Sequence, residues 1–452
     1  MNSIDSQVDL IREVFHYQSR FEGSTMVFKI DYPVTEDPGF PGLVKDLALL
    51  AKTGFKVVIV PGVRENIDTV LKQHDINSSW DSGSAQGFPF RVTTSQGISY
   101  VEMAAFNVAS RFMTFLSGSR VDALIGNFVR ARGRGVINGI DTEHTGTVDK
   151  IYKDSLTRIL NLGMIPILPC IGWSPSGKPY NVPSDEIALA ASKALGAIKL
   201  FIVSAHGMQG IKILNIPETL EKRPDGSLVR LTPAQAQTLI NMNIESKTDA
   251  DPACLQYLRG FKLALKASQA GIHRVHMIDG REEGAVLKEL YSNLGVGTMI
   301  YADEYDSIRG FHSRDLTDVL RLMEPLMQAG ILVRRNPEQI QEKKNDYSVL
   351  EIDGSVRACG ALHDWGESQG EIAAIATDPN YTDLGLGKKI VGFLAEKAKK
   401  SKMTRVFVLT TRSQDWFESL GFKEAAVESL PEQKRKVYDQ TRKSKVFALD
   451  LN

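Results

Sequence analysis

The chain has 452 residues, 42% of them hydrophobic and 24% charged, the balance of a globular protein too long for one ordinary core. Lys+Arg and Asp+Glu both total 54, so no global basic field argues for nucleic acid, and no uninterrupted apolar segment approaches the roughly 18 residues of a membrane span. Cys170, Cys254 and Cys359 lie far apart with no metal-ligand spacing, which fits buried thiols in a reducing compartment and no metal site.

The opening stretch, MNSIDSQVDLIREVF, carries Asp5, Asp9 and Glu13. It reads as neither a signal nor a transit peptide, so the expected location is the cytoplasm. Short apolar runs then alternate with helical patterns. TMVFKID (25–31), FKVVIVP (55–61), MIPILPCIG (164–172), IKLFIV (198–203) and IHRVHMI (272–278) read as buried strands. GLVKDLALLAKTG, SDEIALAASKALG and ACLQYLRGFKLALKASQAG, between them, have helical spacing. This alternation predicts a mostly parallel sheet with helices on both faces. The polar MIYADEYDSIRG marks a boundary, with domains expected over 1–304 and 305–452. A new helix opens at SRDLTDVLRLMEPLMQAG, with Ser313 or Asp315 as its cap.

In the second domain a strand, EIAAIAT (371–377), runs into DPNYTDLGLGKK and then a helical pattern in which Val391, Leu394, Ala395 and Ala398 share a face. Strand, glycine-bearing loop and helix N-terminus is a phosphate-binding layout. The loop fits neither a Rossmann GxGxxG nor a GxxxxGK[ST] fingerprint. On its glycines alone a plain connection is as good a reading. A strand, RVFVLTT (405–411), and then DWFESLGFKEA follow.

This order resembles the Gcn5-related N-acetyltransferase (GNAT) family, whose loop [RQ]-x-x-G-x-[GA] is matched by TDLGLG (382–387) except that Thr382 stands first. EPLMQAGILVRR, VFVLTTRSQDWFESLGF and LPEQKRKVYDQTRKSKVFALDL are similar to amino-acid N-acetyltransferases that make N-acetylglutamate. RVHMIDGREEGAVLKELYSNLGVGTMI (274–300) resembles the closing part of the amino-acid kinase fold. The resemblance implies an α/β protein with two parts. The first is an N-terminal amino-acid kinase-like three-layer αβα domain with a mostly parallel sheet. The second is a C-terminal GNAT α/β domain with a mixed sheet. The implied reaction moves acetyl from acetyl-CoA to the amino group of L-glutamate. Homo-oligomers are usual in the family.

The implied cofactor positions are Ile375, Ala376 and Thr377 at the strand end and Thr382, Asp383, Leu384, Gly385, Leu386, Gly387 and Lys388 in the loop. Glu371 matches the general base and Thr410 the partner of the coenzyme sulfur; their bland readings are a strand-end glutamate and a β-branched strand residue. A carboxylate entering an apolar sheet suits proton abstraction. Arg335, Arg442 and Ser444 match substrate-binding positions, and arginine grips a carboxylate in a planar fork. Lys434, Arg435, Lys436, Lys443 and Lys445 are left unassigned, a charge run usually being a solvated face.

The first domain lacks the kinase's glycine turns: Lys29 is followed by IDYPVTED, and VPGVREN keeps only Gly62. Asp31, Glu36 and Asp37 would repel a triphosphate. No phosphorylation is expected of it, only a scaffold or a sensor. By resemblance to arginine-controlled members of the fold, Tyr17, Arg20, His276, Glu289 and Gly295 would bind L-arginine, a carboxylate being the natural partner of a guanidinium. Two alternatives are a bifunctional synthase–kinase, which the missing glycines oppose, and a non-catalytic arginine-binding regulator, which the GLG loop and Glu371 oppose.

Overall fold

The computed structural model describes residues 11–451, other than 13, 16, 82–87, 138, 206–213, 219, 245–251, 293–294, 302–305, 353–354, 380 and 382–384. The chain divides into two compact units, Met1–Asp303 and Glu304–Asn452.

The first unit is built on an eight-stranded sheet. Its strands are β1 (Thr25–Ile30), β2 (Lys56–Pro61), β3 (Ala123–Ile125), β4 (Ile165–Ile167), β5 (Lys199–Ser204), β6 (Arg230–Leu231), β7 (Arg274–Asp279) and β8 (Thr298–Tyr301). They lie in the order β6-β8-β7-β5-β1-β2-β4-β3, parallel except where β7 meets β8. Alternate residues feed two cores. Val27, Val58 and Leu200 face Ile187 of α3 (Ser184–Leu195) and Phe261 of α4 (Pro252–Gln269). Met26, Phe28, Ile59 and Phe201 face Leu47 of α1 (Phe40–Lys52) and Phe112 of α2 (Ile98–Gly118). Burial on both faces is why these strands read as unbroken apolar runs. The predicted strand over 164–172 is in fact two: Ile165–Ile167 joins this sheet, and Ile171–Trp173 joins a separate four-stranded sheet. Pro169 lies at the break and has no N–H to give to a ladder.

The second unit is a seven-stranded mixed sheet: β9 (Asp306–Gly310), β10 (Tyr347–Ile352), β11 (Ser355–Asp364), β12 (Gln369–Thr377), β13 (Arg405–Thr410), β14 (Lys423–Ala425) and β15 (Lys445–Asp450). The order is β9-β10-β11-β12-β13-β15-β14, antiparallel except for the β12–β13 pair. One face packs on α7 (Leu386–Lys400) through Ile390, Val391, Leu394 and Ala398. The other packs on α6 (Leu316–Gln328) through Val319, Leu322, Met323 and Met327. Asp315 is the N-cap residue of α6, yet neither it nor Ser313 caps that helix with its side chain. The Asp315 carboxylate turns back, accepting from the His312 N–H at 2.8 Å and from Arg309 at 2.6 Å. All three cysteines are buried thiols, and burial pushes those of Cys170 and Cys359 up to about 12.

Candidate active site

The β12–β13 pair is a fork. The strands align only at Gln369–Arg405, Gly370–Val406 and Glu371–Phe407. Beyond Glu371, β12 stays paired on its other edge with β11 as far as Thr377, across a bulge at which the register shifts. Ala374 in that bulge has φ +54°, a left-handed conformation that costs a non-glycine residue about 1–3 kcal/mol. Bulges bend a strand and re-aim it, which suits a strand leaving its neighbour. One edge of Ile372–Thr377 thus has no strand partner among the described residues. Ile375, Ala376 and Thr377 lie on that stretch.

Glu371 is the last residue paired before the fork opens, and it is only 7% exposed. Its Oε2 accepts from Trp365 Nε1 at 2.8 Å and from Lys434 Nζ at 2.7 Å. Lys434 lies on the short α8 (Glu432–Lys436), with its ammonium 4.7 Å from the centre of the Trp365 ring. The surroundings of this carboxylate are therefore less apolar than its strand suggests. Its register partner on β11 is His363, whose Nδ1 is 2.6 Å from Asp346 Oδ2. Burial holds the His363 ring below its usual range, against the pull of Asp346 and Glu371.

Thr410 ends β13, buried. Its Oγ1 accepts from the backbone N–H groups of Ser413 at 3.0 Å and Arg412 at 3.4 Å. With its lone pairs so used, the hydroxyl has its O–H left to donate.

Residues 382–384 of the loop, Thr382, Asp383 and Leu384, lie outside the described residues. Gly385 is the N-cap of α7 at φ +60° and Lys388 is exposed in its first turn. Leu386 is buried in the core, so only its backbone can serve a ligand. Gly387 has a reason the sequence did not disclose: a Cβ there would come within 3.0 Å of Trp416 Cζ2.

Arg335 is half-buried, and its guanidinium has no hydrogen-bond or ion-pair partner among the described residues. Its charge acts on His363, Tyr347 and Cys359. Arg442 donates to the carbonyls of Gly330 at 3.0 Å and Ile331 at 3.1 Å, in the loop that carries Arg335. Ser444 is half-buried, its carbonyl accepting from Tyr438. Trp365, Lys434 and His363 are the neighbours that sequence reasoning missed. Lys434 was hidden in a basic run, and nothing in spacing links it to Glu371.

In the first unit, His276, Glu289 and Gly295 come together. Glu289 Oε1 is 2.6 Å from His276 Nδ1, and Oε2 accepts from the N–H groups of Val296 and Gly297, each at 2.7 Å. Burial raises this carboxyl, but the His276 and backbone donors hold it below its ordinary value. A Cβ at Gly295 would stand 2.4 Å from Glu289 Oε2. His276 stacks on Phe201 and approaches Lys199, whose ammonium lies 5.6 Å from the Tyr17 ring. Arg20 is exposed, with its guanidinium 5.6 Å from the Phe21 ring. Lys29 is buried between Asp31 and Asp185; burial opposes its charge, but the two carboxylates hold it protonated above the usual lysine range.

Residues 316–422 match the Acetyltransferase (GNAT) family and residues 33–207 the Amino acid kinase family. The amino-acid acetyltransferase of Escherichia coli K12 is 32% identical over 98% of both chains. The chain belongs to the amino-acid acetyltransferase family. The Photobacterium profundum member is also 32% identical, over 97% of both chains. N-acetylglutamate synthase from Neisseria gonorrhoeae, solved with coenzyme A and L-arginine, is 29% identical with a TM-score of 0.81, covering 98% of this chain and 99% of that one. The same Neisseria protein with coenzyme A and N-acetyl-glutamate is 31% identical at a TM-score of 0.57, with the same coverage. The enzyme is thus an acyltransferase that acetylates an amino acid, joining an amino-acid kinase-like unit to a GNAT unit.

Proposed function

We propose that the enzyme acetylates the amino group of L-glutamate with acetyl-CoA, at the fork between β12 and β13. The observation that carries this reading is the fork itself, with Glu371 at its closed end and Thr410 on its far arm. Pantetheine adds as a strand along Ile375–Thr377, pairing with the open edge. The pyrophosphate meets the backbone of 382–388 at the N-terminus of α7. Arg335, Arg442 and Ser444 hold the two carboxylates of glutamate.

Glu371 takes a proton from the ammonium group. The freed nitrogen attacks the thioester carbonyl carbon, the C–N bond forms, and the C–S bond breaks. As the C–S bond breaks, the nitrogen gives up its second proton and the leaving thiolate, met by the Thr410 O–H, takes up a proton to depart as the thiol of CoA. A charge-neutral amino acid offers Arg335 and Arg442 one carboxylate, whereas an acidic one such as glutamate offers two.

The first unit is an arginine sensor in this reading, supported by the meeting of Tyr17, Lys199, His276 and Glu289 and by the Neisseria relative solved with L-arginine. Glu289 Oε2 already accepts from two backbone N–H groups, whereas Oε1 accepts only from His276 and keeps an acceptor site for a guanidinium. Tyr17 and Arg20 close over the ligand in this reading. Phosphorylation is opposed by the two carboxylates that neutralise Lys29. Work in the cytoplasm as a homo-oligomer completes the proposal.

An acetyl-CoA assay across a panel of amino acids, with and without arginine, tests it. Glutamate should be preferred. Equal rates with glutamate, glutamine and alanine would refute the assigned substrate.

A further inference from the structure

The general-base assignment leaves two side chains without a task, and both touch the base. Glu371 Oε2 receives two donors, Trp365 Nε1 at 2.8 Å and Lys434 Nζ at 2.7 Å. Oε1 has no hydrogen-bond partner among the described residues. An exposed ion pair would contribute little, but here the side chains are 12% and 9% exposed. Two charges withdrawn from water persist only when well paired, so this contact fixes where each group sits.

The surrounding backbone is arranged to deliver Lys434. The turn between β11 and β12 holds Glu367 and Ser368 at φ +51° and +55°. From it, Glu367 Oε1 accepts from the Glu432 N–H at 2.9 Å, and Gln369 Nε2 donates to the Ser429 carbonyl at 3.5 Å. The start of α8 is thereby pinned over the β11–β12 turn. Trp365, from the same turn, offers its N–H to the carboxylate and its ring to the lysine ammonium. A five-residue helix could not hold a lysine so firmly on its own.

We propose that Lys434, supported by Trp365, is a positioning residue for the acetyl-transfer reaction. It locks Glu371 Oε2 and so presents Oε1 as the oxygen that takes the substrate's proton. This rests on the reading of Glu371 as the base. Lys434 does not touch substrate; it sets the rotamer of the group that does. Displacement of a reacting group by about 1 Å can cost on the order of 100-fold, so a wandering carboxylate slows turnover without weakening coenzyme binding.

The test uses the full-length enzyme, the variants Lys434→Met, Lys434→Arg and Glu371→Gln, and the double variant Glu371→Gln/Lys434→Met, with melting temperature recorded for each. Lys434→Met should lower kcat roughly 10- to 100-fold, leave the KM for acetyl-CoA within about twofold, and be largely rescued in Lys434→Arg. In the Glu371→Gln background the same methionine should cost less than about threefold, because residues acting as one unit are not additive. Equal losses in the two backgrounds would make Lys434 a structural residue and overturn the proposal. So would parent kcat in Lys434→Met beside a slow Glu371→Gln. Parent kcat in Glu371→Gln itself would overturn the base assignment first, and the two failures are distinguishable by that single variant. If Lys434→Met does not fold, Trp365→Phe removes one donor while keeping a ring under the lysine. It should reduce kcat in the parent and leave Glu371→Gln unaffected.

Discussion

Each charged side chain assigned to the reaction predicts a different signature. Glu371→Gln keeps the shape of the side chain and removes its capacity to take a proton. General bases contribute about 10²–10⁴-fold, so kcat in a steady-state acetyl-transfer assay should fall within that range. A variant with parent turnover would exclude Glu371 as the base. The two arginines separate by what they already hold. Arg335 has no hydrogen-bond or ion-pair partner among the described residues, so Arg335→Ala should raise the KM for glutamate roughly 10- to 100-fold, the equivalent of a charge-assisted bond of about 1.5–3 kcal/mol, at unchanged melting temperature. Arg442 ties down the Gly330 and Ile331 carbonyls. Arg442→Ala should therefore raise the KM for glutamate and lower the melting temperature together. A KM shift in neither variant would remove both from the substrate site.

At the scale of elements, the two loop glycines serve different ends. Gly385 stands at φ +60° with open space around its would-be Cβ, whereas Gly387 is crowded by Trp416. Gly385→Ala should cost about 1–2 kcal/mol of backbone strain and raise the KM for acetyl-CoA, whereas Gly387→Val should push Trp416 aside and unsettle α7 itself. Thermal melts beside coenzyme titrations distinguish the two, and equal behaviour would refute the distinction. α5 (Ala285–Tyr291) carries its own pH dependence through Glu289. This carboxyl is held below its ordinary value when folded, so its stabilisation is full above the unfolded value and is lost as pH falls through the folded one. Below the usual glutamate range the parent should lose melting temperature faster than Glu289→Gln, and parallel curves would contradict that.

The central strands β1, β2, β5 and β7 of the first sheet and β12 and β13 of the second were legible because burial on two faces leaves apolar runs, whereas the shorter and outer strands went unread, and the run at 164–172 was misjudged because periodicity cannot say where one such run changes sheets. The strand, loop and helix around the glycines were legible because that pattern is local, whereas the role given to Glu371 came from resemblance alone. Lys434 lies 63 residues from Glu371, and a basic run gives no sign of which lysine turns inward. Trp416 behind Gly387 was invisible for the same reason: the contact is made in space.

For the molecule as a whole, the first unit should bind arginine and ignore nucleotide. Calorimetry should record heat with L-arginine and none with MgATP, since Lys29 is already neutralised by Asp31 and Asp185. Nucleotide binding with a micromolar constant would restore the bifunctional reading. Any effect of arginine on acetyl transfer then measures a coupling free energy between separate sites, which demands two arrangements with different affinities.

The fork has a kinetic corollary. The second unit's sheet is two ribbons stitched at one short seam, and the coenzyme is cast as the filler of the gap. A gap without its filler has one wall missing, and that wall is the one carrying the acetyl group. Glutamate arriving first would meet an unfinished chamber. Ordered addition follows, with acetyl-CoA first and free CoA leaving last. Product inhibition by CoA should therefore be competitive against acetyl-CoA and mixed against glutamate.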